Sequence, residues 1–247
     1  VSLPERNGVA QKSNVHISKP PPRMQPFDVE PVRPMIFSPE MVRLIRSGEK
    51  TQTRRVVQPS PWRVLRVDRS RPRITLTAQV DDRSEPLLVE CPHATGDVLW
   101  VRESWSATFQ SGGDSAAPWS EANRRDRTER RCTSLWYEAD SDLPHRSGEW
   151  VSPIFMPRWA ARLTVRIDAV RAEPLQDLSA FDISDEGLPL RPVAGVLPDG
   201  GARSADTDLD PAHMVFRARW NAIHADASKQ WESNPWVWVY EFTPGLV

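Results

Sequence analysis

Ala161-Arg162-Leu163-Thr164-Val165-Arg166-Ile167-Asp168-Ala169-Val170 decides the fold class of this chain. Leu163, Val165 and Ile167 alternate with polar or charged neighbours, the period of two that marks a strand with one buried face. Working outward, the same period recurs in residues 73–80, where Ile74, Leu76 and Ala78 share a face, with residues 62–67 as the partner strand. Residues 98–103 are apolar on both faces and read as an interior strand, and residues 135–139 restore strand character further on. Met35, Ile36 and Phe37 form the first strand, and the last spans residues 236–242. There Trp236 and Trp238 share one face while Val237 and Val239 take the other. Helical spacing appears only in short pieces: Pro39–Ser47 between Ser38 as N-cap and Gly48 as C-cap, residues 179–187, and Pro211–Ile223. In residues 179–187, Phe181 and Ile183 are expected to anchor the helix and Gly187 to close it. Eight or so strands with a few short helices predict a mainly β, α+β fold, a small barrel or curled sheet with peripheral helices. No Gly-x-Gly-x-x-Gly follows a strand and no Walker-type lysine loop occurs, so dinucleotide-dependent and phosphate-loop chemistries fall away.

The bulk properties bound the partners. The 247 residues carry a net charge of −1, so nothing global demands nucleic acid or membrane. The distribution is uneven. Between Arg33 and Arg73, ten arginines and Lys50 face Glu40, Glu49 and Asp68, a local +8; from Glu173 onward twelve acids face five bases, a local −7. A basic face of this kind attracts phosphates. Two cysteines cannot build a disulfide framework, and no apolar run spans a membrane, so a soluble, cytoplasmic chain is expected. Cys91-Pro92-His93 has too few further ligands at workable spacing for zinc; no metal and no cofactor are expected. Residues 1–32, polar and bearing Lys19-Pro20-Pro21-Pro22-Arg23, read as a disordered tail, and 33–247 as one domain. Two insertions, residues 110–132 and 189–211, have loop composition yet exceed the usual length of about 12–15 residues. The first carries Arg124, Arg125, Arg127, Arg130 and Arg131 and is expected at the rim of a binding cleft.

The chemistry concentrates in Gly48-Glu49-Lys50-Thr51-Gln52-Thr53-Arg54-Arg55, read as a loop between the first helix and a strand containing Val56 and Val57. One ammonium, two hydroxyls and two guanidiniums there suit a phosphate, a base carbonyl or a carboxylate. Lys50 and Thr53 can face one pocket, where a threonine nucleophile needs a neighbouring base. Glu186, at the end of a short helix, is the candidate carboxylate. Glu103, beside Arg102 in an aromatic strand, either pairs with arginines of a neighbouring strand or walls the pocket. Trp100, Trp105 and Trp159 are candidates to stack on a base, and Arg158-Trp159 either holds a base or braces a corner.

The motif, together with Arg33-Pro34-Met35-Ile36-Phe37, Gly96-Asp97-Val98-Leu99-Trp100-Val101-Arg102-Glu103, Met156-Pro157-Arg158-Trp159-Ala160 and Asn234-Pro235-Trp236-Val237-Trp238-Val239, resembles the ASCH domain of the PUA-like group, and most closely its phage and prophage branch. The resemblance covers the chain from Arg33 to Phe242. It implies a PUA-like small β-barrel that binds RNA, single-stranded nucleic acid or a modified nucleoside beside Lys50, Thr51, Thr53, Arg54 and Arg55. Small acetylcytidine amidohydrolases in the same group imply a second reading: Lys50, Thr53 and Glu186 as catalytic residues on an acylated cytidine, with Arg55 holding the base or an adjacent carboxylate; a related nucleic-acid hydrolase using the same three residues is the variant of that reading. The chain is more than twice the size of those enzymes. A third reading, a phage-related morphogenetic module that binds a protein partner, follows from the phage-like branch alone.

Overall fold

The computed structural model describes residues 24–28, 33–61, 63–110, 116–118, 132–140, 150–188 and 211–247. The arginine cluster of the first insertion and residues 189–210 of the second therefore lie outside the described residues. The elements are β1 (Arg33–Ile36), α1 (Pro39–Ser47), β2 (Gln52–Val56), β3 (Arg63–Asp68), β4 (Thr75–Gln79), β5 (Leu87–Glu90), β6 (Val98–Arg102), β7 (Trp105–Gln110), β8 (Ala116–Pro118), β9 (Cys132–Tyr137), β10 (Leu163–Pro174), α2 (Ala180–Asp185), α3 (Pro211–Ile223) and β11 (Trp236–Leu246). The fold is mainly β. Its principal sheet runs β1-β6-β10-β11-β2, with β1–β6 parallel and the rest antiparallel; β3-β4-β5 and β8-β7-β9 form two smaller sheets. β8 gives the first insertion a short paired strand, Thr108–Gln110 of β7 opposite Pro118–Ala116, where composition suggested only loop.

Packing follows from the alternation. Trp238, Tyr240 and Phe242 of β11 join Val165 and Ile167 of β10 in one core, closed by Leu76 and Val89 of the second sheet, by Ile74 just before β4 and by Val42 and Ile45 of α1. Val237 and Val239, on the opposite face, pack against Ile183 of α2 and Phe216 and Trp220 of α3. β11 is thus buried on both sides. Fully burying one such side chain contributes roughly 1.5–3 kcal/mol, so this strand is the mechanical centre of the fold. Phe181 does not share the anchoring role expected of it. It is 79% exposed, because a six-residue helix has one inward stripe and Ile183 fills it. Part of the expected tail is also placed: Leu246 N–H donates to Gln25 O at 3.1 Å, and a Cβ on Gly245 would meet the Phe27 ring at 2.5 Å. Phe27, under Arg166, supplies the apolar group that makes residues 24–28 pack.

β1 and β2 are the edges of the principal sheet, and among the described residues no ladder joins them. They are nevertheless near each other: Arg55 of β2 donates from Nη2 to the Ile36 carbonyl of β1 at 2.6 Å. Among the described residues, no helix is long and apolar enough to cross a membrane.

Candidate functional site

α1 delivers the motif. Ser38 Oγ accepts from Met41 N–H at 3.3 Å, and Gly48 at φ 79° lets the chain leave the helix, with Glu49 and Lys50 N–H both donating to Leu44 O. The expected loop is not a loop. Thr53, Arg54 and Arg55 lie inside β2, because Thr51 O accepts from Phe242 N–H at 2.8 Å and Val57 N–H donates to Trp236 O at 2.9 Å, zipping the whole segment onto β11. These two bonds also fix the phase of the ladder. Thr53 and Arg55 point their peptide groups at β11, whereas those of Arg54 and Val56 point to the open side of β2. At the near end α2 closes the strand: Thr51 N–H donates to Asp185 O at 2.8 Å, and Lys50 and Glu186 form an isolated bridge. Gly187 at φ 83° makes this approach feasible, since a Cβ there would sit 2.9 Å from Leu44 Cδ1 and 3.2 Å from Lys50 Cβ.

Lys50 is fully buried. Its Nζ donates to Glu186 Oε2 and, at 3.2 Å, to the Glu186 carbonyl. Arg54 Nη1 reaches the other carboxylate oxygen, Oε1, at 3.2 Å, so one carboxylate serves two cations. Arg54 is further held by Glu173 at 3.0 Å, Asp182 at 3.3 Å and Gln52 Oε1 at 2.5 Å. Arg171 ties Glu173 and Asp182 from outside. Burial pulls the Lys50 ammonium below its ordinary pKa; Glu186 opposes this, and the positive charges of Arg55 and Arg219 add to it. Lys50 is therefore easier to deprotonate than a surface lysine, the condition for a lysine to assist a nucleophile.

Lys50, Thr53, Arg54, Arg55 and Glu186 all line one cavity of about 240 Å³, between the edge of β2 and helices α1 and α3. The remaining candidates are elsewhere. Thr51 is engaged by α2 and β11. Glu103 is buried and held bidentately by Arg162, both bonds at 2.8 Å; Arg162 also binds Asp140 and lies 3.8 Å from the Tyr137 ring centroid. Of the two readings of Glu103, the geometry matches the ion pair. Trp100 packs under Arg102 at 4.7 Å, and Trp159 meets Trp105 edge-on at 6.1 Å in a satellite core with Ala160 and Ala161. Arg158 and Trp159 sit in a 3₁₀ turn at that corner, away from the cavity. Among the described residues no group of three His, Cys, Asp or Glu side chains could hold a metal.

Sequence reasoning missed the α3 wall: Phe216, Arg219, Trp220 and His224. A signal existed, because Phe216, Trp220 and His224 recur every four residues. Trp220 stacks on His224 at 4.2 Å and on Phe216 at 5.9 Å. No protein-family model, no curated protein and no solved structure matches the chain.

Proposed function

We propose that the cavity binds one planar heterocycle, the base of a nucleoside or of an unpaired RNA nucleotide, in an ASCH-type, PUA-like domain whose curled principal sheet stands for the barrel. The observation that carries this reading is the seam between the two edge strands. Along it, the outward N–H and C=O groups of Arg54 and Val56 offer the donor and acceptor row that a base edge pairs with. Arg55, 5.2 Å over the Phe37 ring, offers a flat partner for a ring, and Phe216, Trp220 and His224, stacked on one another, line the α3 side of the cavity. Size supports a single ring: about 240 Å³ exceeds the ~150 Å³ that houses a benzene, with room for a substituent and none for a second base. The test is calorimetric titration with cytidine, N4-acetylcytidine, uridine and adenosine. Val56→Pro removes one outward N–H and leaves the β11 ladder intact; Val56→Ala controls for lost packing. A tenfold weaker ligand affinity in the proline variant is expected. Equal affinity in the two variants removes the reading.

A second reading, hydrolysis of an acylated cytidine, is favoured by one observation: the depressed Lys50 ammonium, Glu186 and the Thr53 hydroxyl line the same cavity. In it, Thr53 Oγ bonds to the acyl carbon and its proton passes to the Lys50–Glu186 pair. The amide C–N bond breaks, the amine leaves with that proton, and water then hydrolyses the acyl ester. Release of cytidine and acetate from N4-acetylcytidine, lost in Lys50→Ala and Thr53→Val, is expected. A wild-type protein that binds this nucleoside without releasing acetate is a binder only.

A further inference from the structure

We infer that the ligand of the seam cavity carries a phosphate, so that its form is a nucleotide and not a free nucleoside; this rests on the nucleobase reading above. The argument is the balance of charge around the cavity. Lys50 and Arg54 are matched, sharing the two oxygens of Glu186, with Glu173 and Asp182 adding to Arg54. Arg55 is different. Among the described residues no carboxylate lies within ion-pair distance of its guanidinium. One N–H donates to the Ile36 carbonyl, and the group rests on Phe37. This half-buried cation, with a neutral acceptor on one side and an aromatic face on the other, has no ion-pair partner of its own among the described residues; the carboxylate whose charge reaches it, Glu186, is already shared by Lys50 and Arg54, and leaving the guanidinium so is costly. An anion in the cavity supplies that partner.

Arg219 stands on the opposite wall and is held only loosely. It pairs with Glu40 of α1 at 2.7 Å, tying α3 to α1 beside the cavity, but the Glu40 side chain is 61% exposed. An exposed pair of this kind contributes about 0–1 kcal/mol, so a ligand oxyanion can take its place. Two guanidiniums facing one cavity suit a phosphate, whose oxygens accept bidentate pairs of N–H groups. Their positive fields also meet at Lys50, which both of them push toward deprotonation. A bound anion would relieve that pressure, so ligand charge and the protonation of Lys50 are linked.

The test compares cytidine, cytidine 5′-monophosphate and a cytidine trinucleotide by calorimetry at low salt, in the full chain. The monophosphate is expected to bind at least tenfold more tightly than cytidine, with an advantage that shrinks as salt rises. Glu40→Gln frees Arg219 and should tighten the monophosphate several-fold while leaving cytidine unchanged. Arg219→Gln should return the monophosphate toward the affinity of cytidine. A trinucleotide that matches or exceeds the monophosphate makes an RNA strand the source of the phosphate; a weaker one makes it a mononucleotide, and both support the inference. Equal affinity for cytidine and its monophosphate overturns it and leaves the nucleobase reading standing. Failure of all three probes, together with failure of the nucleosides titrated above, removes the nucleobase reading and this inference with it.

Discussion

Replacing Arg54 with methionine should separate a buried charge network from a surface one. The Arg54 side chain is fully buried, and the carboxylates of Glu173, Asp182 and Glu186 lie 3.0–3.3 Å away, each no more than 17% exposed. Removing one partner of a buried ion pair costs about 3–5 kcal/mol, most of it the penalty of the charge left behind. Here Arg171 stays on Glu173 and Asp182, and Lys50 stays on Glu186, which sets the expectation near the lower end, about 3 kcal/mol. At about 2–4 °C per kcal/mol for a chain of this size, Tm should fall by roughly 6–12 °C. The loss should depend on pH. Burial works to raise the Asp182 carboxyl, but the Ser179 hydrogen bonds and the Arg54 and Arg171 charges overcome it and hold the carboxyl well below its usual range. A depressed carboxyl contributes stability that is present above its unfolded pKa, about 3.9, and is lost as pH falls through the folded value. Part of that contribution goes with Arg54, so the deficit should be full above about pH 5 and shrink below pH 4. Thermal denaturation followed by tryptophan fluorescence at pH 7 and pH 3 measures it. A Tm within 2 °C of wild type at pH 7, or an equal deficit at both pH values, refutes the reasoning. Arg54→Lys should recover only part of the stability, since one ammonium cannot meet three carboxylates in the fork geometry.

Glu103→Ala should cost about 3 kcal/mol by leaving Arg162 with Asp140 alone, while nucleoside titration stays as in wild type; a weakened titration would put Glu103 in the site after all. Gly187→Ala combines a left-handed backbone, roughly 1 kcal/mol for a residue with a Cβ, with a 2.9 Å approach to Leu44. It should move Glu186 off Lys50 and weaken ligand binding, and unchanged affinity would show that the bridge is not needed. Burial pushes the Cys91 thiol up, whereas Cys132 is partly exposed, so a thiol reagent at pH 8 should label one site quickly and the other only on unfolding. Two equally fast thiols would contradict the packing.

What could be read in the sequence was local. Ser38, Gly48 and the apolar spacing between them gave α1 with its residue bounds, and the Trp236/Val237/Trp238/Val239 alternation sent each pair to its own core as expected. The strand character of Thr53-Arg54-Arg55 was hidden because polar and charged residues occupy both of its faces. The ladder to β11 and the carboxylates of Glu173, Asp182 and Glu186 together offset the burial of Arg54. The partner of Glu103 is Arg162, 59 positions away, and no spacing rule connects them. Lys50, Thr53 and Glu186, singled out from the sequence, line one cavity, but its far wall was not legible, because a helix such as α3 reads the same whether its aromatic stripe faces a core or a cavity.

The position of β11 has a kinetic side. Val237 pairs with Val56 across 181 intervening steps of chain, whereas β3, β4 and β5 pair with near neighbours. Bringing distant segments together carries a loop-closure cost before any contact repays it, so long-range pairings form late. The small sheets can assemble early, while β2 has no partner ladder until the end of the chain arrives. The cavity should then be the last part of the molecule to come into being, and ligand binding should report the slowest phase of refolding. Until that moment one edge of the twelve-residue β10 stands without its β11 ladder, its N–H and C=O groups unpaired, the kind of edge through which partly folded chains find one another.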